Sequence, residues 1–381
     1  MIPVWEPVLD GNEERYVLDC LETNWISSLG RYITRFEEAF AAWCGMPHAV
    51  ACSSGTAALH LSLVALGIGP GDEVIIPDFT LIVSANTVLL AGAKPVLVDV
   101  DPKTWCLDPE KIGEKITPRT RAVMAVHMYG HPCDMPAIAE IARRHNLAVI
   151  EDCAEAHGAE IAGRKVGTFG DAGCFSFYGN KILTTGEGGM VLVRDAALAA
   201  KLRLLRDQGF EPPRFVHRVV GFNYRLTNVQ AAIGLAQTEK ADEKVRQKRE
   251  IASWYLALLA FCEDLERPYE AVGAKNVYWM FGVKLGPRFS QGRDAVMDEL
   301  KAAGVETRAF FCPMHRQPVF QNGDPRYPDV RGEYPVSDDL WNRGLYLPSG
   351  LGLKQEQVRE IVEKLLGCRR SSPASAFIQP A

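Results

Sequence analysis

The chain has 381 residues, 47% hydrophobic and 23% charged, which is enough for one large α/β unit and a smaller one, each with its own core. A formal net charge of -5 with no basic block argues against a nucleic-acid binder, because such proteins gather Lys and Arg on one face to neutralise phosphates. The longest apolar run, over residues 57–68, is broken by His60 and Ser62 and falls short of the ~20 residues that span a bilayer, so no membrane segment is read.

The N-terminal stretch MIPVWEPVLDGNEERY lacks a charged start followed by an apolar core, so it does not read as a secretory leader and a cytoplasmic protein is expected. From residue 48 onward, short β-rich runs alternate with helical patterns: HAVACSS, GTAALHLSLVALG, DEVIIPD, TLIVSANTVLLAG and KPVLVDVD. That rhythm predicts parallel strands joined by crossover helices, and the near-continuous Val, Ile and Ala predict a sheet covered on both faces. Gly67-Ile68-Gly69-Pro70-Gly71-Asp72 follows a helix and precedes a strand, the wrong context for a dinucleotide loop, so it is assigned to a helix-ending connection. The alternation continues through RAVMAVHMY, the amphipathic MPAIAEIARRHN, LAVIEDCAEA, GCFSFY, GGMVLV and a helix over 195–206.

A charged, Ala-rich segment over 228–259 predicts one long helix linking two domains, and the pattern beyond 265 predicts a small α+β domain. The division read from the sequence is 1–225 for the large α/β domain, 226–264 for the linking helix, 265–367 for the small domain and 368–381 for a flexible tail.

Three places carry candidate chemistry. Ser53-Ser54-Gly55-Thr56 lies between a strand and an apolar helix, where backbone N–H groups and partial positive charge make a phosphate cradle; an ordinary Ser/Thr helix cap is the alternative. Glu151-Asp152 closes the strand LAVI at the carboxyl edge of a parallel sheet, where a carboxylate can keep a pyridine nitrogen protonated or cap a following helix. Lys181 leaves the aromatic strand FSFY into a Gly-rich turn, where partial desolvation lowers its pKa and frees the amine for a Schiff base; a solvent-facing turn lysine is the alternative. The order of cradle, strand-end Asp and lysine favours a pyridoxal phosphate site. His127, His131 and Cys133 have metal-like spacing, but the chain there enters a Gly/Pro turn and no metal is expected; the ten cysteines form no C-x-x-C pair and are expected as free thiols.

With these residues in hand, the chain resembles the DegT family of sugar aminotransferases within the fold type I PLP-dependent transferases, over nearly its whole length. The stretches that carry the likeness include ACSSGTAALHLSLVALGIGPGDEVIIPDFT, VIEDCAEAHGA, GDAGCFSFYGNKILTTGEGGMV, VGFNYRLTNVQAAIGLAQ and PMHRQPVF. The resemblance implies a mostly parallel sheet sandwiched by helices, with Lys181 as the Schiff-base lysine and proton shuttle and Asp152 as partner of the pyridinium nitrogen. It implies that Ser54, Gly55, Thr56 and Ser176 bind the phosphate and that Asn223 reaches the cofactor of a second subunit, hence a homodimer with shared sites. Leu81 stands where an aromatic usually stacks on the ring, so an aliphatic contact is expected there. Glu155 stands where many relatives have Gln beside the ring oxygen.

By the same resemblance the reaction is ping-pong, with L-glutamate as donor, pyridoxamine phosphate as the intermediate form of the cofactor, and a nucleotide-linked 4-keto-6-deoxyhexose as acceptor. Glu155 favours a GDP-linked sugar, UDP- or dTDP-linked sugars are the alternative, and a PLP-binding regulator without turnover is a second one. A His at the lysine position marks dehydratase relatives, so Lys181 favours transamination. Trp25, Asn180 and His315 are the candidate sugar or nucleotide contacts.

Overall fold

The computed structural model describes residues 1–213 and 215–370. A seven-stranded sheet runs in the order His48–Cys52, Gly189–Val193, Ala172–Ser176, Ala148–Asp152, Thr120–Val126, Glu73–Pro77, Lys94–Val98. Five of these strands pair in parallel, while Gly189–Val193 is antiparallel to both of its neighbours. Two reversals restore direction, so His48–Cys52 ends at the same edge as the parallel set. Ser54, Asp152 and Ser176 are thereby gathered at one carboxyl edge, where open α/β sheets collect ligands.

Strands with both faces covered must be apolar throughout, and Glu73–Pro77, Ala172–Ser176 and Gly189–Val193 are buried at every position. The helix Gly55–Ala65 packs against the Ala172–Ser176 and Gly189–Val193 strands and is buried over most of its circumference, as its lack of an apolar stripe requires. Met135–His145 is amphipathic, capped by Asp134, and stops at Asn146 in the left-handed region.

A second sheet, ordered Leu265–Glu266, Phe281–Leu285, Gly344–Leu347, Arg308–Ala309, is antiparallel and sits in its own apolar cluster with Tyr255, Leu300 and Ile361. Ile2 joins that cluster through a bridge to Val305, so the chain's first residues cross to the small sheet. A third, short sheet pairs Ala274–Lys275 with Glu160–Ile161.

The structure corrects two expectations. The single helix expected over 228–259 is two, Asn228–Glu239 and Ala241–Leu258, because Lys240 leaves helical geometry where its amine reaches Asp10. The tail begins later than read: Cys368 is buried, the Arg370 N–H donates to the Arg288 carbonyl at 2.8 Å, and the Arg370 guanidinium pairs with Glu299. The rest of the expected tail, 371–381, lies outside the described residues. All ten cysteines are free, and among the described residues no helix is long and apolar enough to cross a membrane.

Helix Asn228–Glu239 lies against Arg31–Cys44 at close range because Gly234 has no side chain: a Cβ there would stand 2.6 Å from the Phe36 ring. Phe36 in turn packs on Phe177, the first residue of the loop that carries Lys181. Gly234→Val is expected to destabilise the fold by about 1–3 kcal/mol through overpacking, read as a lower Tm; an unchanged Tm would contradict the close approach.

Candidate active site

A cavity of about 290 Å³ opens at the carboxyl edge of the large sheet, and Ser54, Gly55, Thr56, Leu81, Asp152, Glu155, Ser176, Asn180 and Lys181 all line it. Lys181 is placed by a folded-back loop. The Phe177 N–H donates to Gly188 at 2.8 Å, the Thr185 N–H returns to the Phe177 carbonyl at 2.8 Å, and the Lys181 N–H closes a turn on Tyr178 at 2.9 Å. The side chain is only 8% exposed, which removes the solvent-facing alternative. Its Nζ lies 4.0 Å from Glu155 Oε1 and 3.8 Å from the centre of the Trp279 ring. Burial lowers the lysine's pKa, and the carboxylates of Glu155 and Asp152 pull it partly back.

Glu155 is also buried, and burial outweighs the Lys181 charge and the 2.8 Å hydrogen bond from the Tyr129 N–H, lifting its pKa to about 7. Tyr129 presents that N–H from a left-handed backbone, an uncommon conformation for an aromatic residue.

The neighbouring acids of the Glu151-Asp152 pair divide by strand alternation. Glu151 points into the protein and accepts from the N–H groups of Gly167, Phe169 and Gly170, with His127 Nε2 at 3.2 Å. Asp152 points into the cavity, and its carboxylate has one hydrogen bond among the described residues, from the Ala154 N–H at 3.1 Å. Burial raises its pKa, and the Ala154 hydrogen bond and Lys181 charge oppose this. The helix-cap alternative fails, since residues 153–159 form turns rather than a helix.

At the opposite end of the cavity both readings of the serine cluster hold together. Ser54 Oγ caps the helix by accepting from the Ala57 N–H at 3.1 Å, which leaves the Gly55 and Thr56 N–H groups without partners among the described residues. Gly55 is required there: a Cβ would stand 2.7 Å from that of Ser176, closing the cradle.

Three expected site residues stand elsewhere in the chain. Trp25 is exposed beside a groove with Asp19 and Arg31, its carbonyl accepting from Asn228 Nδ2 at 2.6 Å. Asn223 is exposed in a bridge to Asp207. His315 is not aimed into the cavity, because its ring is engaged by Asp78 Oδ2 at 2.7 Å and Asp338 Oδ1 at 3.1 Å. The metal-like spacing does not assemble a set either: His127 Nδ1 accepts from the Cys133 N–H, while His131 is held by Pro132 and Ala271. His127, Glu151 and Cys153 do come within 4.8 Å of one another, but the Glu151 oxygens are already taken by backbone donors.

Sequence reasoning missed the aromatic wall made by Trp279, Phe311 and Tyr346, which come from the segments around the small sheet. The run VYWMFGVKL reads as a strand, and nothing in its pattern says that Trp279 turns toward Lys181, with Nε1 donating to the Asn180 carbonyl at 2.7 Å.

A mostly parallel sheet that presents a buried lysine, a strand-end acid and an open helix N-terminus at one edge defines the aminotransferase class of α/β enzymes. The chain belongs to the DegT/DnrJ/EryC1/StrS aminotransferase family, whose model matches residues 7–366. It is 50% identical to GDP-perosamine synthase of Caulobacter vibrioides over 96% of this chain and 97% of that one. It is 45% identical to GDP-perosamine synthase of Escherichia coli O157:H7, over 96% and 97%. The solved structure of DesV from S. venezuelae superposes with a TM-score of 0.87 at 36% identity, covering 94% of this chain and 95% of that one.

Because the Glu155 charge raises the lysine's pKa, Glu155→Gln is expected to lower the pH at which Lys181 becomes reactive in the cofactor-free protein. Competitive acylation across pH, read by peptide mass, measures that midpoint, and an unmoved midpoint would refute the pairing.

Proposed function

We propose that this protein is a PLP-dependent aminotransferase that converts GDP-4-keto-6-deoxymannose to GDP-perosamine with L-glutamate as amino donor. The observation that carries the chemistry is the convergence of the Lys181 amine, the Asp152 carboxyl and the uncapped N–H groups of Gly55 and Thr56 on one buried cavity. The residues fit the cofactor: the lack of a Cβ at Gly55 leaves a cradle open for a phosphate, and the donor set offers an acid for a pyridine nitrogen and an amine for an aldehyde. The GDP-linked acceptor is supported by the two perosamine synthases at 50% and 45% identity.

Pyridoxal phosphate, when bound, supplies an aldehyde that takes up the amino group and a ring that accepts electron density. Asp152 holds the ring-nitrogen proton, a fixed charge that favours negative charge developing on the substrate carbon. Lys181 is the covalent anchor and moves the proton at that carbon, for which its lowered pKa keeps a neutral amine within reach of neutral pH. Gly55, Thr56, Ser54 and Ser176 would hold the phosphate, Leu81 would offer an aliphatic contact to the ring, and Glu155 would stand beside the ring oxygen. Trp279 and Phe311, which line the same cavity, would help exclude water from it. Asn180, whose Oδ1 is buried and unpartnered, is placed to meet the sugar.

Trp25 and Asn223 enter the reading through a homodimer. Leu18, Leu21, Trp25, Ile26 and Leu29 form an exposed apolar stretch of a kind that monomers rarely leave uncovered, and a second copy covering it would bring Trp25 and Asn223 to a shared site.

Lys181→Ala is expected to reduce turnover by on the order of 10³-fold or more while still binding pyridoxamine phosphate. Borohydride reduction followed by peptide mapping should tag Lys181, and tagging elsewhere would remove the assignment. Incubation with glutamate and a panel of nucleotide keto-sugars should yield GDP-perosamine; amination of only UDP- or dTDP-linked sugars would overturn the substrate.

A further inference from the structure

His315 is 12% exposed at its side chain and does not line the Lys181 cavity, yet it sits at a polar crossing between the large sheet and the segment 310–338. Its N–H donates to Asp78 Oδ1 at 2.8 Å, its Nδ1 meets Asp78 Oδ2 at 2.7 Å, and the Met314 N–H donates to the Asp78 carbonyl at 2.8 Å. On the far side, Nε2 lies 3.1 Å from Asp338 Oδ1, and the ring stacks on Tyr334 at 4.8 Å.

Asp78 is fully buried at the end of strand Glu73–Pro77, three residues before Leu81 of the cavity wall. Phe79 between them packs on Phe310 at 5.8 Å and on Tyr129 at 6.1 Å. Phe311 lines the cavity and donates its N–H to Tyr129 Oη at 3.3 Å, and the Tyr129 N–H is the one that binds Glu155. The segment 310–315 therefore reaches the site twice, at Phe311 and at the Tyr129–Glu155 contact, and the end that fixes it is the His315–Asp78 pair.

We propose that His315 is a positioning residue: held between Asp78 and Asp338, it latches segment 310–315 to the end of strand Glu73–Pro77 and so sets Leu81 and Phe311 against the cofactor. The inference rests on the assignment of the Lys181 cavity as the cofactor site and adds a residue outside it.

The chemistry makes the latch sensitive to pH. A ring facing two carboxylates needs two N–H donors, which only the imidazolium has; the neutral ring leaves one carboxylate opposite a lone pair. The groups around it are Asp78 from the strand end, Asp338 and Tyr334 from the segment carrying helix Pro335–Arg343, and Arg316 and Cys312 on its own segment. Burial works against the charged ring, but the Asp78 hydrogen bond and the Asp78 and Asp338 charges outweigh it and raise its pKa. The raised pKa means that the latch is complete below the ordinary histidine range and is lost as pH rises through the raised value.

Pyridoxamine phosphate, which binds without a covalent bond to Lys181, is the probe, and its Kd is measured across pH 5.5–9 (about the histidine window) for three proteins. In the wild type a weakening of about tenfold is expected as His315 loses its proton. His315→Asn keeps an amide donor toward Asp78 but cannot titrate, so its profile should lose that step and sit near the weaker limit. Asp338→Asn removes one of the two anions at an outer position, so the step should move to lower pH. Profiles for both variants that coincide with the wild type would overturn the latch while leaving the cofactor site intact, and absence of binding by the wild type at every pH would overturn both.

Discussion

The site depends on keeping an amine out of water without giving it a fully compensating partner. Lys181 is buried, and burial alone would drive it neutral; two carboxylates stand near it, but the closer one, Glu155, is 4.0 Å away and is itself pushed toward the protonated form by the same desolvation. Neither group therefore neutralises the other, as a tight buried ion pair would. The rest of the architecture serves that imbalance: the strand that ends at Asp152, the folded loop over 177–188 that carries the lysine inward, and the aromatic wall that keeps solvent away.

The sheet topology explains why these groups meet at all. Lys181 and the Gly55 N–H lie 126 positions apart in sequence if counted by residue number, yet the antiparallel strand Gly189–Val193 lets His48–Cys52 run alongside the parallel set and end at the same edge. Had that strand been antiparallel to only one of its neighbours, the helix N-terminus would have opened at the opposite edge of the sheet. The small-residue positions are part of the same design. Gly55 permits contact with Ser176 in the cavity, and Gly234 lets the helices behind it close on Phe36 and, through it, on Phe177.

Much of this was legible in the residues, and the reasons are local. Continuous apolar strands, the serine-capped helix start and the strand-end acid each follow from short-range rules, and so Ser54, Gly55, Thr56, Asp152 and Lys181 could be singled out from local pattern, whereas Ser176 came only from the family resemblance. What was not legible depends on contacts distant in the chain. Trp279 lies 98 positions after Lys181 by residue number and turns toward it through a hydrogen bond to Asn180 that no periodicity encodes. His315 sits in a motif that suggested a sugar contact, whereas its partners, Asp78 and Asp338, lie on separate elements and only tertiary structure brings them together. The break at Lys240 likewise answers to Asp10, far away in sequence.

The cavity has a divided origin: its acid, amine and helix N-terminus come from the large sheet, whereas Trp279, Phe311 and Tyr346 come from the segments around the small one. The polar groups of the cavity and its aromatic wall are therefore carried on different stretches of chain. A change at Trp279 acts on the reacting amine from outside its own sheet, because the centre of the indole ring lies 3.8 Å from Lys181 Nζ, so the two units are bound to vary together around the cavity.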